Sequence, residues 1–301
     1  MSQAMSLLFG FGLGYSVTHY IAEHGARFDR IAGTVRDPGK AAELTARGLA
    51  GRDVTAFGFD GTAPAAGIAD LLPACTALLV SAPPDANGDP VLRVYAAAIA
   101  AAPRLESIVY LSTVGVYGDH RGAWIDEETT PVPVSARSRE RLAAEAAWQT
   151  LAAQCGKPVA ILRLAGIYGP GQNALVQLAR GSARRIDKPG QVFNRIHVAD
   201  IAQAIDASFR QRASGIFNVT DDEPTAPSDP IVFAASLAGV APPPAIPYAV
   251  AEATMTPMAR SFYGECKRVR NERLKRVLGV RLRYPTYREG LGALHAAGTG
   301  I

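Results

Sequence analysis

Cysteine is scarce in this 301-residue chain: Cys75, Cys155 and Cys266 stand far apart and form no CxxC pair. That excludes a disulfide framework or a cysteine-rich zinc site and points to a reducing, cytoplasmic setting. Of five histidines (His19, His24, His120, His197, His295), only His19 and His24 are close in sequence. Five apart on an expected helix, these two do not share a face, so no metal site is expected. No apolar run reaches 18 residues, and no basic segment precedes an apolar one at the amino terminus, so neither a membrane span nor a signal segment is expected. Net charge is also small: 31 Lys and Arg against 27 Asp and Glu leave +4, which makes neither nucleic acid nor a membrane the expected partner. Aromatics are only 7% of the chain, so the core must be built largely from small aliphatic side chains.

What the chain has in quantity is apolar residues, at 48%, enough for one large α/β unit or two closely joined domains. Apolar runs at 7–11, 30–35, 54–57, 77–81, 107–112 and 159–164 read as strands. Between them, 16–24, 38–47, 64–72, 90–101 and 135–154 read as helices, several entered through Pro, Asp or Ser. Such alternation predicts a parallel sheet with right-handed crossovers and helices on both faces. Met5 directly precedes the first strand, so residues 1–4 read as an extension. Beyond residue 164 the pattern changes: a short amphipathic segment at 173–180, a helix at 198–210, a strand at 216–219, and an extended Pro-rich stretch at 241–247. A last helix is expected from Asn271 to Gly279.

Gly10-Phe11-Gly12-Leu13-Gly14-Tyr15-Ser16-Val17 follows the first strand and opens the first helix. Glycines here let the backbone turn tightly and approach a pyrophosphate at the helix N-terminus, although an ordinary βα turn also carries them. The register Gly12, Gly14, Val17 leaves the longer strand, and Val17 in the third glycine's place implies a slightly displaced helix. NAD binders commonly keep a carboxylate about 20 positions on, for the ribose 2′-hydroxyl. Thr34 stands there instead, followed by Arg36, whose guanidinium could clamp a 2′-phosphate. NADP is therefore expected over NAD, while a plain surface role for Arg36 stays open.

Leu111-Ser112-Thr113 followed by Val116-Tyr117-Gly118 resembles the strand end and active-site turn of the extended short-chain dehydrogenases/reductases, the family of NAD-dependent nucleotide-sugar epimerases and dehydratases. The resemblance extends to Arg163-Leu164 with Tyr168-Gly169-Pro170-Gly171, to Arg195-Ile196-His197-Val198-Ala199-Asp200-Ile201-Ala202, and to Pro285 with Glu289-Gly290-Leu291. It covers residues 5–295 and implies a Rossmann-type doubly wound parallel sheet with a smaller C-terminal α/β substrate domain. The domains expected are 5–169, with a returning segment at about 193–220, for the cofactor, and 170–192 with 221–301 for the substrate.

In the roles the resemblance implies, Gly12, Gly14, Tyr15 and Ser16 hold the pyrophosphate and Asp60 contacts the adenine. Ser81 and Ala82 pass beneath the cofactor, Thr113 polarises a substrate oxygen, and Tyr117 lies over the substrate. Pro133-Val134-Ser135-Ala136-Arg137-Ser138-Arg139, with Glu145 beyond, resembles the block P-x-S-x-Y-G-x-S-K-x-x-x-E that carries the catalytic Tyr and Lys. Ser135 is read in the Tyr place and Arg139 in the Lys place. A serine hydroxyl is far less acidic than a phenol, and a guanidinium does not shuttle protons, so the usual proton donor is missing. Tyr117 and Tyr168 are the candidate replacements. His197 is read as buried support of the cleft rather than a base.

The function implied is NADP-dependent oxidoreductase or epimerase chemistry on a small polar molecule, with a nucleotide sugar as one candidate. A non-catalytic NADP-binding sensor is the alternative from another class. Nine basic residues between Lys267 and Arg288 face a single acid, Glu272. They could serve a nucleotide diphosphate or nucleic acid, but read better as a solvated helix face backed by Leu274, Val277 and Leu278. The helices at 90–101 and 135–154 resemble the family's dimer helices and suggest a homodimer, with oligomeric state left open.

Overall fold

Strands at the centre of the sheet are buried on both faces, which is why their sequences are nearly unbroken apolar runs. The computed structural model describes residues 5–298; the extension expected at residues 1–4 lies outside them. Seven strands, β1 (Leu7–Phe11), β2 (Arg30–Val35), β3 (Thr55–Gly58), β4 (Ala77–Val80), β5 (Ser107–Thr113), β6 (Val159–Leu164) and β7 (Gly215–Val219), pair in parallel. Their order is β3-β2-β1-β4-β5-β6-β7. The order reverses between β1 and β4, so the chain diverges there and leaves a crevice at the strands' carboxyl ends.

Side-chain alternation feeds two cores. Leu8, Leu79, Val109 and Ala160 point to one face, with Val17 of α1 (Tyr15–His24). Leu7, Phe9, Leu78 and Ile108 point to the other. That second face is covered by Ile99 and Trp148, from α3 (Pro90–Ala101) and α4 (Ala136–Cys155). Prolines at the helix starts act as expected: Asp37 caps α2 (Pro38–Arg47) by accepting from the Lys40 amide, and Asp89 caps α3 by accepting from Val91 and Leu92. Asp89 also accepts from Trp148 Nε1 at 3.1 Å, locking α3 to α4.

The second half is built from shorter pieces: α5 (Ala174–Ala179), α6 (Val198–Gln211), α7 (Asp229–Leu237), α8 (Pro257–Tyr263) and α9 (Tyr287–Ala296). Three two-stranded parallel pairs accompany them: Gly166–Tyr168 with Arg195–His197, Arg185–Asp187 with Ala245–Pro247, and Trp124–Ile125 with Arg268–Val269. The strand at Ala245–Pro247 shows that part of the Pro-rich stretch is extended and paired.

Three expectations are corrected. The helix expected at 64–72 shrinks to Ile68–Leu71, because Gly67 enters it with φ +83° and Pro73 tightens its exit into a 3₁₀ turn. The helix expected from Asn271 is only Glu272–Arg276, and Val277 is exposed rather than buried. The last helix of the described residues is α9, opened by a capping box in which Thr286 and Glu289 bond each other's backbone. Three of the nine basic residues of this stretch pair with acids elsewhere in the chain: Lys275 meets Asp222, Arg283 meets Glu23, and Arg288 meets Glu223.

Candidate functional site

At the end of β1 the backbone makes a cradle that only glycine fits. Gly12 has φ +95°, and a Cβ there would lie 3.2 Å from the Ala82 nitrogen, so the loops after β1 and β4 touch. Thr34 is buried, and its hydroxyl accepts from the Gly12 amide at 3.0 Å, which holds the loop in shape. Gly14 is the N-cap of α1, without a side-chain cap and with open space where a Cβ would sit. The first amides of that helix are thus available to an anion. The Tyr15 hydroxyl donates to the Pro170 carbonyl at 3.0 Å, tying the loop to the second half of the chain. Arg36 is exposed, with no bonding partner among the described residues. Asp60 is exposed and accepts from the amide and hydroxyl of Thr62. The tight turn at Gly12, beside an uncapped helix N-terminus, fits a dinucleotide pyrophosphate.

A cavity of about 970 Å³ runs along the strand ends, lined by Ser16 of α1 and by Ser81 and Thr113 on the sheet side. Thr113 ends β5, and its Oγ1 accepts from the Gly115 amide at 3.1 Å. That bond occupies a lone pair and leaves the hydroxyl proton free to be donated into the cavity. Tyr117 is placed elsewhere. It is fully buried, its hydroxyl donates to Asn218 Oδ1 at 2.8 Å, and the Arg163 guanidinium lies 4.6 Å over its ring. Burial pushes its phenol above the ordinary value. Tyr117 does not line the cavity, so its reading as substrate contact and proton donor is corrected.

The reading of α4 is corrected as well. Ser135 is the N-cap, accepting from the Ser138 amide at 3.1 Å and donating to the Ser138 hydroxyl at 2.9 Å. Arg139 is exposed and turns back to donate to the Val134 carbonyl at 2.9 Å, away from the cavity. The helix face turned toward the sheet carries Ser138, Arg141 and Glu145, spaced by three and four. Glu145 accepts from Ser112 Oγ at 2.5 Å and from Arg163 NH2 at 2.6 Å, pinning α4 to β5 and β6. Counted from Pro133 and Ser135 through to Glu145, the block P-x-S-x-Y-G-x-S-K-x-x-x-E puts Arg137 in the Tyr place and Arg141 in the Lys place. Both line the cavity. Arg141 is buried and donates to the Leu111 carbonyl at 2.9 Å and the Tyr110 hydroxyl at 3.2 Å. The spacing of Pro133, Ser135 and Glu145 sets this register in the sequence itself, two residues beyond Ser135 and Arg139.

Residues from the second half close the cavity. Tyr168 lines it, and its hydroxyl donates to the Thr286 carbonyl at 3.3 Å. Burial, with Asp221 and Asp200 nearby, holds its phenol well above the ordinary range, so it keeps its proton. His197 is buried between the rings of Tyr168 and Tyr284; its Nδ1 accepts from the Ala199 amide, and burial lowers its pKa to about 4. It is a neutral structural residue. Lys267 and Glu265 also line the cavity, joined at 2.6 Å, and Lys267 Nζ donates to the Gly118 carbonyl at 2.8 Å. Nothing local marks Lys267 in the sequence, since it lies in the basic run and reaches the site only through the fold. No group of three or more His, Cys, Asp or Glu suited to a metal occurs among the described residues. None of the described helices is long and apolar enough to cross a membrane.

Residues 84–220 match the NAD dependent epimerase/dehydratase family. A 138-residue stretch is 27% identical to a 3-diazoavenalumate denitrifying reductase from a Streptomyces species, covering 44% of this chain and 45% of the reductase. The chain thus spans less than half the length of that curated relative. A functionally unknown conserved protein from Silicibacter pomeroyi DSS is 45% identical and superposes with a TM-score of 0.84 over 97% of this chain and 99% of its own. The dTDP-glucose 4,6-dehydratase of Bacillus anthracis, solved in complex with NAD, shares the fold at 16% identity, with a TM-score of 0.74 over 97% and 96% of the two chains.

Proposed function

The chain belongs to the NAD-dependent epimerase/dehydratase family of extended short-chain dehydrogenases/reductases, and from that premise we propose that it is an NADP-dependent oxidoreductase acting on a small polar molecule. The observation that carries this reading is the cavity that runs from Ser16, in the first turn of α1, to Thr113 and Arg141. Residues 5–169 with 193–220 hold the cofactor; 170–192 and the chain from 221 onward hold the substrate. NADP is preferred to NAD because the place of the ribose carboxylate is taken by the buried Thr34, while Arg36 stands free at the end of β2.

A bound nicotinamide supplies the hydride chemistry. The protein's part is binding, orientation and charge. The Gly14 end of α1 receives the pyrophosphate, Arg36 the 2′-phosphate, and Arg141 orients the nicotinamide ribose from the floor of the cavity. The Thr113 hydroxyl donates to the substrate oxygen beside the reacting carbon. With an arginine in the tyrosine's place and Tyr168 holding its proton, no side chain here matches the usual phenol–lysine relay, so the proton exchanged at the substrate comes from water. Nucleotide-sugar chemistry of the dehydratase type is one substrate class the fold can host.

A second reading, a non-catalytic NADP sensor, is favoured by Arg137 alone. Calorimetry with NADPH and NADH, followed by a turnover screen of carbonyl compounds and nucleotide sugars, separates the two. NADPH binding with turnover of any substrate supports the enzyme. Tight NADPH binding with no turnover across the screen supports the sensor, and no binding of either dinucleotide removes both.

A further inference from the structure

We infer that the substrate is an organic acid whose carboxylate is bound by Arg137 and whose apolar body lies in the outer cavity. The inference rests on the proposed reading of this cavity as the substrate site. Arg137 is the second residue of α4, at the helix end where the backbone dipole already favours negative charge and disfavours a cation. It lines the cavity, and its one polar contact is the weak one to the Met258 sulfur, at 3.9 Å. The carboxylate in the cavity, Glu265, is already paired with Lys267. Of the other cavity arginines, Arg141 is engaged by Leu111 and Tyr110, and Arg195 by the carbonyls of Phe193 and Ala226. Arg137 is therefore the cation left for an incoming anion, and the amides of the same helix end add to its pull.

The rest of the ligand meets a different chemistry. Pro227, Pro230 and Ile231 form one wall of the outer cavity, and Pro257, Met258 and Phe262 another. Met258 and Phe262 are 59% and 57% exposed, apolar side chains left facing the opening. Two polar side chains among these walls are spent internally. Asn173 bonds the Gly169 carbonyl and the Val176 amide, and Asn194 bonds the Lys267 carbonyl and the Val269 amide. Gln172, Gln177 and Ser261 also line the cavity, but along the Pro227–Ile231 and Pro257–Phe262 walls an apolar body would gain by leaving water.

The test uses the full chain and trans-cinnamate as probe, titrated by calorimetry with and without saturating NADPH, against cinnamamide, which has the same body and no charge. Cinnamate should bind at least about tenfold more tightly than cinnamamide, a difference on the scale of one charge-assisted pair. Arg137→Gln should abolish that preference, Arg137→Lys should keep part of it, and Arg139→Gln should leave it unchanged. Equal binding of acid and amide, survival of the preference in Arg137→Gln, or no cinnamate binding at millimolar concentration would each overturn the inference. So would UDP-glucose binding more tightly than cinnamate. NADPH titrated alone reports on the dinucleotide reading: if it binds and cinnamate does not, only the acid is lost.

Discussion

Tyr117 donates its phenol to the side-chain carbonyl of Asn218 at 2.8 Å, joining the turn after β5 to strand β7 across 101 residues. The bond is buried, so Tyr117→Phe leaves the Asn218 oxygen without its donor. We expect a loss of about 1–2 kcal/mol in urea denaturation, with turnover unchanged. A collapse in rate at unchanged stability would restore Tyr117 to the chemistry.

Two buried groups set opposing pH dependences. His197 has its pKa lowered to about 4, so between pH 4 and 6.5 the unfolded chain takes up a proton there that the folded one refuses, and stability rises with pH. Asp221 is raised to about 8, chiefly by burial, so from pH 3.8 to 8 the folded chain holds a proton that the unfolded one has lost, and stability falls with pH. The two slopes offset each other below pH 6.5, and a decline remains between 6.5 and 8. Asp221→Asn should remove that decline in thermal melts; an undiminished decline would exclude Asp221 as its source.

Arg36 is expected to discriminate between the dinucleotides. Arg36→Gln should weaken NADPH binding by about ten- to a hundredfold while NADH changes little, since the lost contact is to the 2′-phosphate alone. Equal losses for both would place Arg36 outside the phosphate site.

Gly290 leaves room for Tyr168: a Cβ there would lie 2.7 Å from the ring's Cε2 and run into the hydroxyl. Replacing glycine by alanine within a helix ordinarily stabilises by about 1 kcal/mol. Here overpacking of about 1–3 kcal/mol opposes it, and the ring must shift into the cavity. Gly290→Ala should therefore lower the Tm and raise KM for any substrate found. A higher Tm would show that the Tyr168 ring moves aside freely.

Six of the seven strands could be read from sequence because each is a local apolar run bounded by polar residues. The seventh was read as a short strand at 216–219, though its place beside β6 was not. The last helix, α9, carries its own local start signal, Thr286 and Glu289 at the spacing of a capping box. On α4 the Lys place falls at Arg141 and not at Arg139, and two residues along a helix are about 200° of rotation, which carries Arg139 from cavity to solvent. Lys267 was beyond sequence reading, since it meets Gly118 only when the strand Arg268–Val269 docks beside Trp124–Ile125.

The bond from Tyr15 to the Pro170 carbonyl crosses from the cofactor cradle to the wall of the substrate cavity, and Gly169 keeps that crossing close: a Cβ there would lie 2.6 Å from the Tyr15 hydroxyl. The two compartments thus share a hinge pin. If a dinucleotide seated at the start of α1 altered that bond, the rim of the second site would feel it, and reciprocity would then require the second ligand to change the first one's affinity by the same factor.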